Sequence, residues 1–564
     1  PINQYIRFEH FKMEGIKTLK SLMRKDDYMI KIDLKDAYFA IPIHAAQRRW
    51  LRFIWEGDVY QFTCLPFGLG PGPRKFTKLL KPIVSFLRKC GVRMVLYLDD
   101  AIFLHQCQSS LQGQGLMITQ ILTNLGFIVN SKKSVLIPSR KIDFLGFNVC
   151  SESMTLSLPE TKMLQLQQLT SNLISHKETT VRHLSEILGK MSAAIEAIQQ
   201  APLQYRHLQM AKTKALCKTQ NYGNKVTLNT ECLNELRWWA NEMQNWNGKA
   251  VITAGPDFTI ATDASNLGWG AVTPYGKIQG HWSTEEIEWH INAKELRAVE
   301  LTVRAVTKES RNLHVHCKCD NVTTVAHINK MGGTKSKILI TITKSLWQYC
   351  MKKNIVLSAV HLPGVENSLA DQMSREIQET SNWMLNKSIF ETLQKRWGPM
   401  QIDLFADRLN HQLPQYVSWK PDPFSISTDA FQSFWVNKTF YAFPPFCLIN
   451  RILAKVRKDK TNTMIIITPL WSTQAWYPII LEMSVDLPIK LPMSSKTLTC
   501  PTGTIHPLIQ SKNLVLVAWK ISGNSCRTQD FLEKQPIWSQ NHGDLVLKAP
   551  TKTLGKDGVA GVIK

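Results

Sequence analysis

Apolar and polar positions are most clearly organised around a short acidic turn. Residues 92–98 form one apolar run, residues 101–104 form a second, and Asp99 and Asp100 stand between them. Two apolar runs joined by a tight polar turn are typical of a β-hairpin. Adjacent carboxylates repel each other, and a hard divalent cation such as Mg²⁺ relieves that repulsion by binding their oxygens. An ordinary hairpin is the alternative interpretation, since Asp is common in turns.

A short strand predicted at residues 28–34 carries a third acid, Asp33, near its end. If this strand lies beside the hairpin, Asp33 meets Asp99 and Asp100. Three convergent carboxylates can hold two metal ions, which activate an attacking hydroxyl and stabilise the leaving oxygens in nucleotidyl transfer. Taken singly, Asp33 is equally compatible with a strand-end or capping role.

The pattern changes along the chain. Residues 161–174 and 180–197 carry apolar residues at three- and four-residue steps, which predicts helices. From residue 251 onward, strands and helices alternate, with predicted strands at residues 258–265 and 355–361. Such alternation indicates a separate α/β region.

Four acids lie at the ends of different elements in this later region. They are Asp263 in a strand, Glu295 in the first turn of a helix opening near Asn292, Asp320 after a strand, and Asp371 at a helix start. Such a set suits a second two-metal site with water as the attacking group, which is phosphodiester hydrolysis. Any one of them alone is as compatible with a cap or an ion pair, and Asp371 is predicted as a natural N-cap.

Composition narrows the class of protein. A chain of 564 residues is too long for one core, so several domains are expected. A net charge of +24 favours a polyanionic partner, most simply nucleic acid, although a generally basic protein is the alternative. The 12 cysteines show no disulfide framework. No apolar run reaches the length of a membrane span, and no signal peptide is apparent. We expect an intracellular protein, cytoplasmic or nuclear, without a membrane partner.

Five motifs follow one another in the order of the reverse transcriptase palm: KIDLKDAYFAIPI, LPFGLGPGPRKF, YLDD, LGFIVNSKK and FLGF. This resemblance implies partial fingers and a ferredoxin-like palm in residues 1–150, and a helical thumb and connection in residues 151–250. It implies that Asp33, Asp99 and Asp100 hold two Mg²⁺ or Mn²⁺ ions.

The same resemblance implies roles for other residues. Tyr38 lies under the sugar of the incoming deoxynucleoside triphosphate, where its ring clashes with a 2′-hydroxyl. Phe67 and Gly68 contact nucleotide and template, and Lys133 is a general acid near the pyrophosphate. In the family, a fingers strand with basic triphosphate-binding residues precedes this region, and we expect it upstream of Pro1.

The later acids, together with the run HLPGVENSLAD, resemble ribonuclease H over residues 251–377. The implied ligands of two further Mg²⁺ or Mn²⁺ ions are Asp263, Glu295, Asp320 and Asp371. His361 takes the place of the loop histidine that assists proton transfer or product release. The implied substrate is the RNA strand of an RNA–DNA hybrid, recognised by its 2′-hydroxyls.

Residues 378–488 resemble phage-type adenine amino-methyltransferases, in which a polar residue precedes Pro-Pro-aromatic. Phe443 occupies that position, so we predict an inactive or structural domain built on a small parallel sheet. Residues 489–564 are rich in Pro, Gly, Ser and Lys and have one apolar run at residues 514–519. They predict a basic linker or tail.

The order of these parts resembles the polyprotein of a DIRS-type retrotransposon, in which a tyrosine recombinase follows downstream. We therefore expect a multidomain chain of α/β and α+β domains. Its expected activity is to copy an RNA template from a DNA primer and to degrade the RNA of the resulting hybrid. A truncated, non-catalytic nucleic-acid-binding remnant of the element is the alternative.

Overall fold

The structure is a computed structural model with two compact units, Pro1–Gly255 and Pro256–Lys564. The predicted boundary between residues 377 and 378 and the tail beyond residue 534 lie outside the residues that it describes. Within that part of the chain, no helix has both the length and the apolar character needed to cross a bilayer. The described residues are 2–7, 9–251, 255–376, 383–500 and 505–534.

The first unit opens with a sheet covered by two long helices. Its elements are α1 (Ile16–Leu22), β1 (Tyr28–Lys35), α2 (Ala45–Arg48), β2 (Arg52–Trp55), β3 (Asp58–Gln61), α3 (Gly72–Lys89), β4 (Arg93–Tyr97), β5 (Asp100–His105), α4 (Gln108–Asn124), β6 (Ile128–Val129), β7 (Val135–Ser139), β8 (Lys141–Phe144) and β9 (Phe147–Cys150). Antiparallel strands β4, β5, β1 and β6 are neighbours in that order, and β7 also pairs with β1. Alternation along β1 directs Ile30, Ile32 and Leu34 into the core with α3 and α4, which leaves Lys31 and Asp33 on the opposite face.

The helical part of the first unit matches the predicted helix pattern. Its elements are β10 (Thr155–Ser157), α5 (Glu160–His176), β11 (Glu178–Thr180), α6 (Val181–Ala193), α7 (Arg206–Thr219), β12 (Lys225–Thr227), α8 (Thr230–Asn241) and β13 (Lys249–Ala250). Thr180 accepts a hydrogen bond from the His183 N–H and so caps α6. Strands β13, β10, β9 and β8 form one sheet, so the boundary predicted at residue 150 falls between two strands of the same sheet.

The second unit begins with a five-stranded sheet and its helices. The elements are β14 (Phe258–Ala264), β15 (Gly268–Thr273), β16 (Gly276–His281), α9 (Thr284–Ile287), α10 (Ile291–Val306), β17 (His314–Cys319), α11 (Val322–Asn329), α12 (Lys337–Lys352), β18 (Val356–His361) and α13 (Ser368–Arg375). The strand order is β16-β15-β14-β17-β18, and β17 is parallel to both of its neighbours. Because α10 begins at Ile291, Glu295 is its fifth residue and lies beyond the first turn, contrary to the prediction.

A second sheet follows in the same unit. Its elements are β19 (Met384–Leu385), α14 (Lys387–Trp397), β20 (Ile402–Asp403), β21 (Val417–Ser418), β22 (Ser427–Thr428), β23 (Thr439–Ala442), α15 (Ile449–Lys458), β24 (Thr463–Pro469), α16 (Tyr477–Glu482), β25 (Ile489–Lys490), β26 (Leu498–Thr499), α17 (Pro507–Gln510), β27 (Leu516–Ile521) and α18 (Ser525–Glu533). The strand order is β20-β23-β24-β27-β25, parallel from β20 to β24 and antiparallel on both sides of β27. The predicted all-parallel sheet is therefore mixed.

The prediction of a linker from residue 489 is wrong for residues 489–500 and 505–533. β27 lies inside the sheet, next to β24, and Trp519 is fully buried there with its Nε1 donating to Thr468 Oγ1 at 2.9 Å. The sequence pattern did not predict this arrangement for two reasons. The residues between β25 and β27 are polar, and β27 pairs with a strand about 50 residues earlier.

Replacement of Trp519 tests whether β27 belongs to the fold. Trp519→Ala is expected to lower the free energy of unfolding by about 3–5 kcal/mol, because a large buried side chain leaves a cavity and Thr468 loses its partner. Chemical denaturation of the whole chain measures the change. Trp419→Ala is the matched control, since Trp419 is 67% exposed and its loss is expected to have little effect.

Candidate active sites

The acidic turn closes the hairpin between β4 and β5. Tyr97 pairs with Asp100, so Leu98 and Asp99 form a two-residue turn in which Leu98 has a φ of +54°. A positive φ is uncommon outside glycine and costs on the order of 1 kcal/mol. The buried apolar residues of the two strands hold this turn in place. The turn therefore presents its two carboxylates from a rigid position.

Asp33 lies directly opposite Asp100. The two residues pair across β1 and β5, and the Leu34 N–H donates to the carbonyl of Asp99 at 2.9 Å. Residues opposite each other in an antiparallel pair have their side chains on the same face of the sheet. The fold thus brings the three acids predicted from motif order to one end of the sheet.

Three further residues contact Asp33 or Asp100, and sequence reasoning did not single them out. Asn130 Nδ2 donates to Asp33 Oδ1 at 2.9 Å, and the Asp33 N–H donates to Ser134 Oγ at 3.0 Å. Lys31 Nζ lies 3.7 Å from Asp100 Oδ1. Strand alternation could have identified Lys31, which shares a face with Asp33. Asn130 depends on a long-range contact that no local pattern shows.

The electrostatics of this first group fit a cation. Burial raises the pKa of Asp100; the charges of Asp33 and Asp99 add to this rise, while the Lys31 ammonium opposes it. Asp100 Oδ1 is buried without a hydrogen-bond partner among the described residues. A hard divalent cation would supply that oxygen with a partner and relieve the repulsion.

Tyr38 and Phe67 lie next to this end of the sheet. The centroid of the Tyr38 ring lies 5.0 Å from that of the Phe67 ring and 5.6 Å from that of the Phe76 ring. Burial raises the pKa of Tyr38, and the charge of Asp99 adds to the rise, so the hydroxyl lies near the acidic turn. Phe67 is 60% exposed.

Gly68 and Lys133 lie in loops. Gly68 has a φ of +86°, and its carbonyl accepts from Asn3 Nδ2 at 2.9 Å. Lys133 is exposed in the turn between β6 and β7, where its N–H donates to the Asn130 carbonyl at 3.2 Å. That turn is the one that binds Asp33, but the described contacts do not join the Lys133 ammonium to the acids.

The second group of acids is more compact. Asp263 is in β14, Glu295 in α10, and Asp320 directly follows β17. One carboxylate oxygen from each lies within 4.8 Å of the other two, a spacing that suits a metal ion. Within the described ranges, no other group of three or more His, Cys, Asp or Glu residues has this spacing. Parallel pairing of β14 with β17 brings the two strand ends together.

Burial raises the pKa of Glu295 to about 9, and the charges of Asp263 and Asp320 contribute to the rise. Burial also raises the pKa of Asp263, although its hydrogen bond with Ser374 opposes the change. Glu295 Oε2 is buried without a hydrogen-bond partner within the described part of the chain. Like charges and an unpartnered buried oxygen together fit a divalent cation.

Asp371 is outside the compact group but near it. Its Oδ1 accepts from Arg375 Nε at 2.7 Å, and its charge contributes to the raised pKa of Asp263. The N-cap prediction is wrong, because α13 begins at Ser368, with Asn367 at the cap position and Asp371 within the first turn. The Asn367 side chain instead donates to the Thr262 carbonyl at 3.0 Å.

Ser374, which the sequence did not single out, donates to Asp263 Oδ2 at 2.7 Å. Its helix approaches the sheet closely at Gly270, where a Cβ would lie 2.5 Å from the Cβ of Met373. In the run Gly268-Trp269-Gly270, the last residue, Gly270, must therefore be a glycine for α13 to pack against the sheet.

His361 is the last residue of β18 and pairs with Cys319, the residue before Asp320. It is exposed, as a residue that contacts substrate would be. The loop that follows returns to the acids, because a Cβ at Gly364 would lie 3.4 Å from Asp320 Oδ2. The structure thus brings His361 and Asp320 to neighbouring strand ends.

A third candidate site lies at the carboxyl ends of β20 and β23. A cavity of about 710 Å³ is lined there by Phe405, Asp429, Phe443 and Pro444, among others. Ligands of α/β sheets commonly bind at such strand ends. Phe443 lies in the wall of the cavity, which is apolar at this point.

Comparison with known proteins identifies the first part of the chain. Residues 2–149 match the family model described as reverse transcriptase (RNA-dependent DNA polymerase). They form a reverse transcriptase domain of the kind found in retrotransposon and viral polyproteins. Asp33, Asp99 and Asp100 all lie within the matched residues.

The relatives of the chain are longer polyproteins. The transposon Tf2-3 polyprotein of Schizosaccharomyces pombe (strain 972 / ATCC 24843) is 22% identical over 405 residues, covering 67% of this chain and 28% of that protein. The genome polyprotein of Petunia vein clearing virus (isolate Shepherd) is 22% identical over 468 residues, covering 79% of this chain and 20% of that protein. The chain therefore spans less than a third of either polyprotein.

Among solved structures, the foamy viral protease-reverse transcriptase in complex with an RNA/DNA hybrid is similar. It has 18% sequence identity and a TM-score of 0.41, with 67% of this chain and 49% of that chain covered.

The raised pKa of Glu295 predicts how the stability of the metal-free protein depends on pH. Between the ordinary value near 4.5 and the folded value of about 9, the unfolded chain releases a proton that the folded chain keeps. The stability of the second unit is therefore expected to fall as pH rises through this interval. In Glu295→Gln this fall between pH 5 and pH 8 is expected to be smaller by roughly 2–4 kcal/mol, since each unit of pKa shift is worth about 1.4 kcal/mol.

Thermal unfolding in the presence of a chelator at pH 5 and pH 8 measures the difference. Glu288→Gln is the matched control, because Glu288 is exposed on the same part of the chain. Equal pH dependence in the parent and Glu295→Gln would contradict the burial of an uncharged Glu295.

Proposed function

We propose that the chain is an RNA-directed DNA polymerase joined to a ribonuclease H, and that it derives from a DIRS-type retrotransposon. The main support is the convergence of two separate sets of acids, one in the reverse transcriptase domain and one on the five-stranded sheet of the second unit. The proposed domains are partial fingers and palm (residues 1–150), thumb and connection (151–250) and ribonuclease H (251–377).

Each site is proposed to hold two Mg²⁺ or Mn²⁺ ions. The ligands would be Asp33, Asp99 and Asp100 in the first site, and Asp263, Glu295, Asp320 and Asp371 in the second. When bound, such ions lower the pKa of the attacking hydroxyl or water and neutralise charge on the leaving oxygens. Asp100 and Glu295 each have a buried carboxylate oxygen without a hydrogen-bond partner within the described residues, which supports this assignment.

In the proposed polymerase site, protein residues orient the reactants. Asn130 holds Asp33 through its hydrogen bond to Oδ1. Tyr38 limits the space beside the sugar of the incoming deoxynucleoside triphosphate. Phe67, together with Gly68, contacts nucleotide and template. Lys133 reaches the pyrophosphate as a general acid once substrate is bound.

In the proposed nuclease site, Ser374 orients Asp263, and Glu295 gives up its proton when it becomes a ligand. His361 moves a proton or assists product release from its exposed position. The substrate would be the RNA strand of an RNA–DNA hybrid, selected by its 2′-hydroxyls. The net charge of +24 supports nucleic acid partners throughout.

The second sheet of the second unit is proposed to be a methyltransferase-like domain without methyl transfer. Its cavity has Phe443 where an adenine amino group would need an acceptor. The proposed protein acts inside the cell, in the cytoplasm or nucleus, with a tyrosine recombinase encoded downstream. Its relatives among transposon and viral polyproteins support a mobile-element origin.

The alternative is a non-catalytic nucleic-acid-binding remnant. Incubation of the purified chain with a labelled RNA–DNA hybrid and Mg²⁺, with and without primer–template and deoxynucleotides, separates the two functions. RNA cleavage together with primer extension would support the full proposal. Tight hybrid binding with neither activity would support the remnant.

Reciprocal variants test the two sites separately. Asp320→Asn is expected to reduce RNA cleavage by roughly 10²-fold or more, because it removes a charged group from the reacting centre, while hybrid binding remains. Primer extension by this variant should be unchanged. Asp100→Asn is the matched control and should show the opposite pattern. RNA cleavage that persists in Asp320→Asn would contradict the second site.

Tyr38→Ala tests selection for deoxynucleotides. Removal of the ring, which packs against Phe67 and Phe76, is expected to open space for a 2′-hydroxyl. Incorporation of ribonucleotides relative to deoxynucleotides should rise by roughly tenfold or more. Relief of about 1.4 kcal/mol of steric clash already corresponds to a tenfold change in this ratio. Single-nucleotide primer extension measures the ratio. Tyr38→Phe keeps the ring, and a ratio for Tyr38→Phe as high as for Tyr38→Ala would exclude this role.

A further inference from the structure

Arg408 joins the second sheet of the second unit to the first. It lies in the loop after β20, and its guanidinium reaches residues of β16 and α9. Nη1 lies 3.0 Å and 2.8 Å from the two carboxylate oxygens of Glu286, and Nη2 donates to the His281 carbonyl at 2.7 Å. Both partners of this ion pair are largely buried, with 11% of the Arg408 side chain and 5% of the Glu286 side chain exposed.

The backbone of Arg408 is itself anchored. The Arg408 N–H donates to Asp422 Oδ2 at 2.8 Å, and Asp422 Oδ1 accepts from the Tyr416 hydroxyl at 2.7 Å. The N–H groups of Phe424 and Ser425 also donate to Asp422. The guanidinium therefore projects from a loop with a defined conformation.

One route leads from Glu286 to the helix that carries Glu295. Arg297 Nε donates to Glu286 Oε1 at 2.8 Å, and Arg297 Nη1 donates to Glu300 Oε2 at 2.6 Å. Arg297 is two residues after Glu295 on α10, and its guanidinium lies 5.8 Å from the centroid of the Phe424 ring. The ion-pair network thus fixes the first half of α10 against the loop of Arg408.

A second route leads from His281 to Asp263. The neighbouring Trp282 is 1% exposed, and its Nε1 donates to the Ser265 carbonyl at 2.9 Å. Ser265 Oγ donates to the Ser374 carbonyl at 2.6 Å, and Ser374 Oγ donates to Asp263 Oδ2 at 2.7 Å. The segment that Arg408 holds is therefore connected to a second acid of the cluster.

We propose that Arg408 is a positioning residue for the Asp263, Glu295 and Asp320 cluster, and that the second sheet serves to hold this metal site in shape. The inference rests on the proposed ribonuclease H in that the cluster binds metal. A buried ion pair adds little stability over apolar packing, whereas it fixes geometry, and a metal site needs its ligands held within about 0.5 Å.

The first test measures Mn²⁺ binding by calorimetry. The whole chain carries Asp33→Asn and Asp100→Asn, so that the first site does not contribute. Arg408→Met is expected to weaken Mn²⁺ binding by roughly three- to tenfold, below the 10–100-fold loss typical of a direct partner of a ligand. Arg408→Lys, which keeps the charge but not the fork of donors, should fall between the parent and Arg408→Met.

Arg457→Met is the matched control. Arg457 forms an exposed ion pair with Glu482 on the same sheet region, 3.0 Å apart, and its loss should leave Mn²⁺ affinity unchanged. If Arg408→Met fails to fold, Glu286→Gln replaces it, because it removes the charge and keeps the volume. A folded variant with parental Mn²⁺ affinity would overturn the proposal.

The second test follows RNA cleavage against Mg²⁺ concentration in the otherwise unchanged chain. A positioning role shifts the half-saturating Mg²⁺ concentration upward by roughly three- to tenfold and leaves the KM for hybrid unchanged. A merely structural role lowers cleavage equally at every Mg²⁺ concentration, without such a shift, and would count against the proposal.

The two proposals fail separately. If the parent chain cleaves RNA and Arg408→Met shows no shift, the positioning role is wrong and the ribonuclease stands. If the parent chain cleaves no RNA but its Mn²⁺ affinity depends on Arg408, the proposed activity is wrong and the positioning role stands. Mn²⁺ binding that Asp263→Asn leaves unchanged would overturn the cluster as a metal site and the positioning role with it.

Discussion

The central constraint on this chain is the repulsion between carboxylates that the fold places side by side. Asp33 faces Asp100 across two strands, and Asp263, Glu295 and Asp320 bring one oxygen each to within 4.8 Å of the others. Burial and neighbouring like charges raise the pKa of Asp100, Asp263 and Glu295. The surrounding contacts must hold these groups together against that repulsion, and much of the local structure around each site serves this end.

The two groups of acids differ in how far neighbouring protein groups offset their negative charge. In the first, Lys31 lies 3.7 Å from Asp100, and Asn130 donates to Asp33, so protein groups offset part of the charge. In the second, Glu295 Oε2 has no partner within the described residues, and burial raises the pKa of Glu295 to about 9. The raised pKa of Glu295 therefore favours a protonated Glu295 at neutral pH, which lowers the negative charge of the second cluster.

Local sequence patterns predicted the individual strands and the acidic turn. The strand that carries Asp33 and the hairpin that carries Asp99 and Asp100 were predicted from local patterns, whereas their pairing was expected from the order of the motifs. The position of β27 was missed, since its partner β24 is about 50 residues away and the connection is polar. Asn130 and Arg408 were missed for the same reason: their partners are distant in sequence.

A buried ion pair joins the two sheets of the second unit. Arg408 is 11% exposed and Glu286 is 5% exposed. Arg408 donates to both oxygens of Glu286, which also accepts from Arg297 and from the Ser283 N–H. Burial acts to raise the pKa of Glu286, and the charges of Arg408 and Arg297 with the Ser283 N–H outweigh it, so that the carboxylate stays ionised. Separation of the sheets would break the contacts of Arg408 with Glu286 and its hydrogen bond to the His281 carbonyl. The second sheet, whose cavity has Phe443 in its wall, thus supplies its neighbour with a buried cation at Arg408.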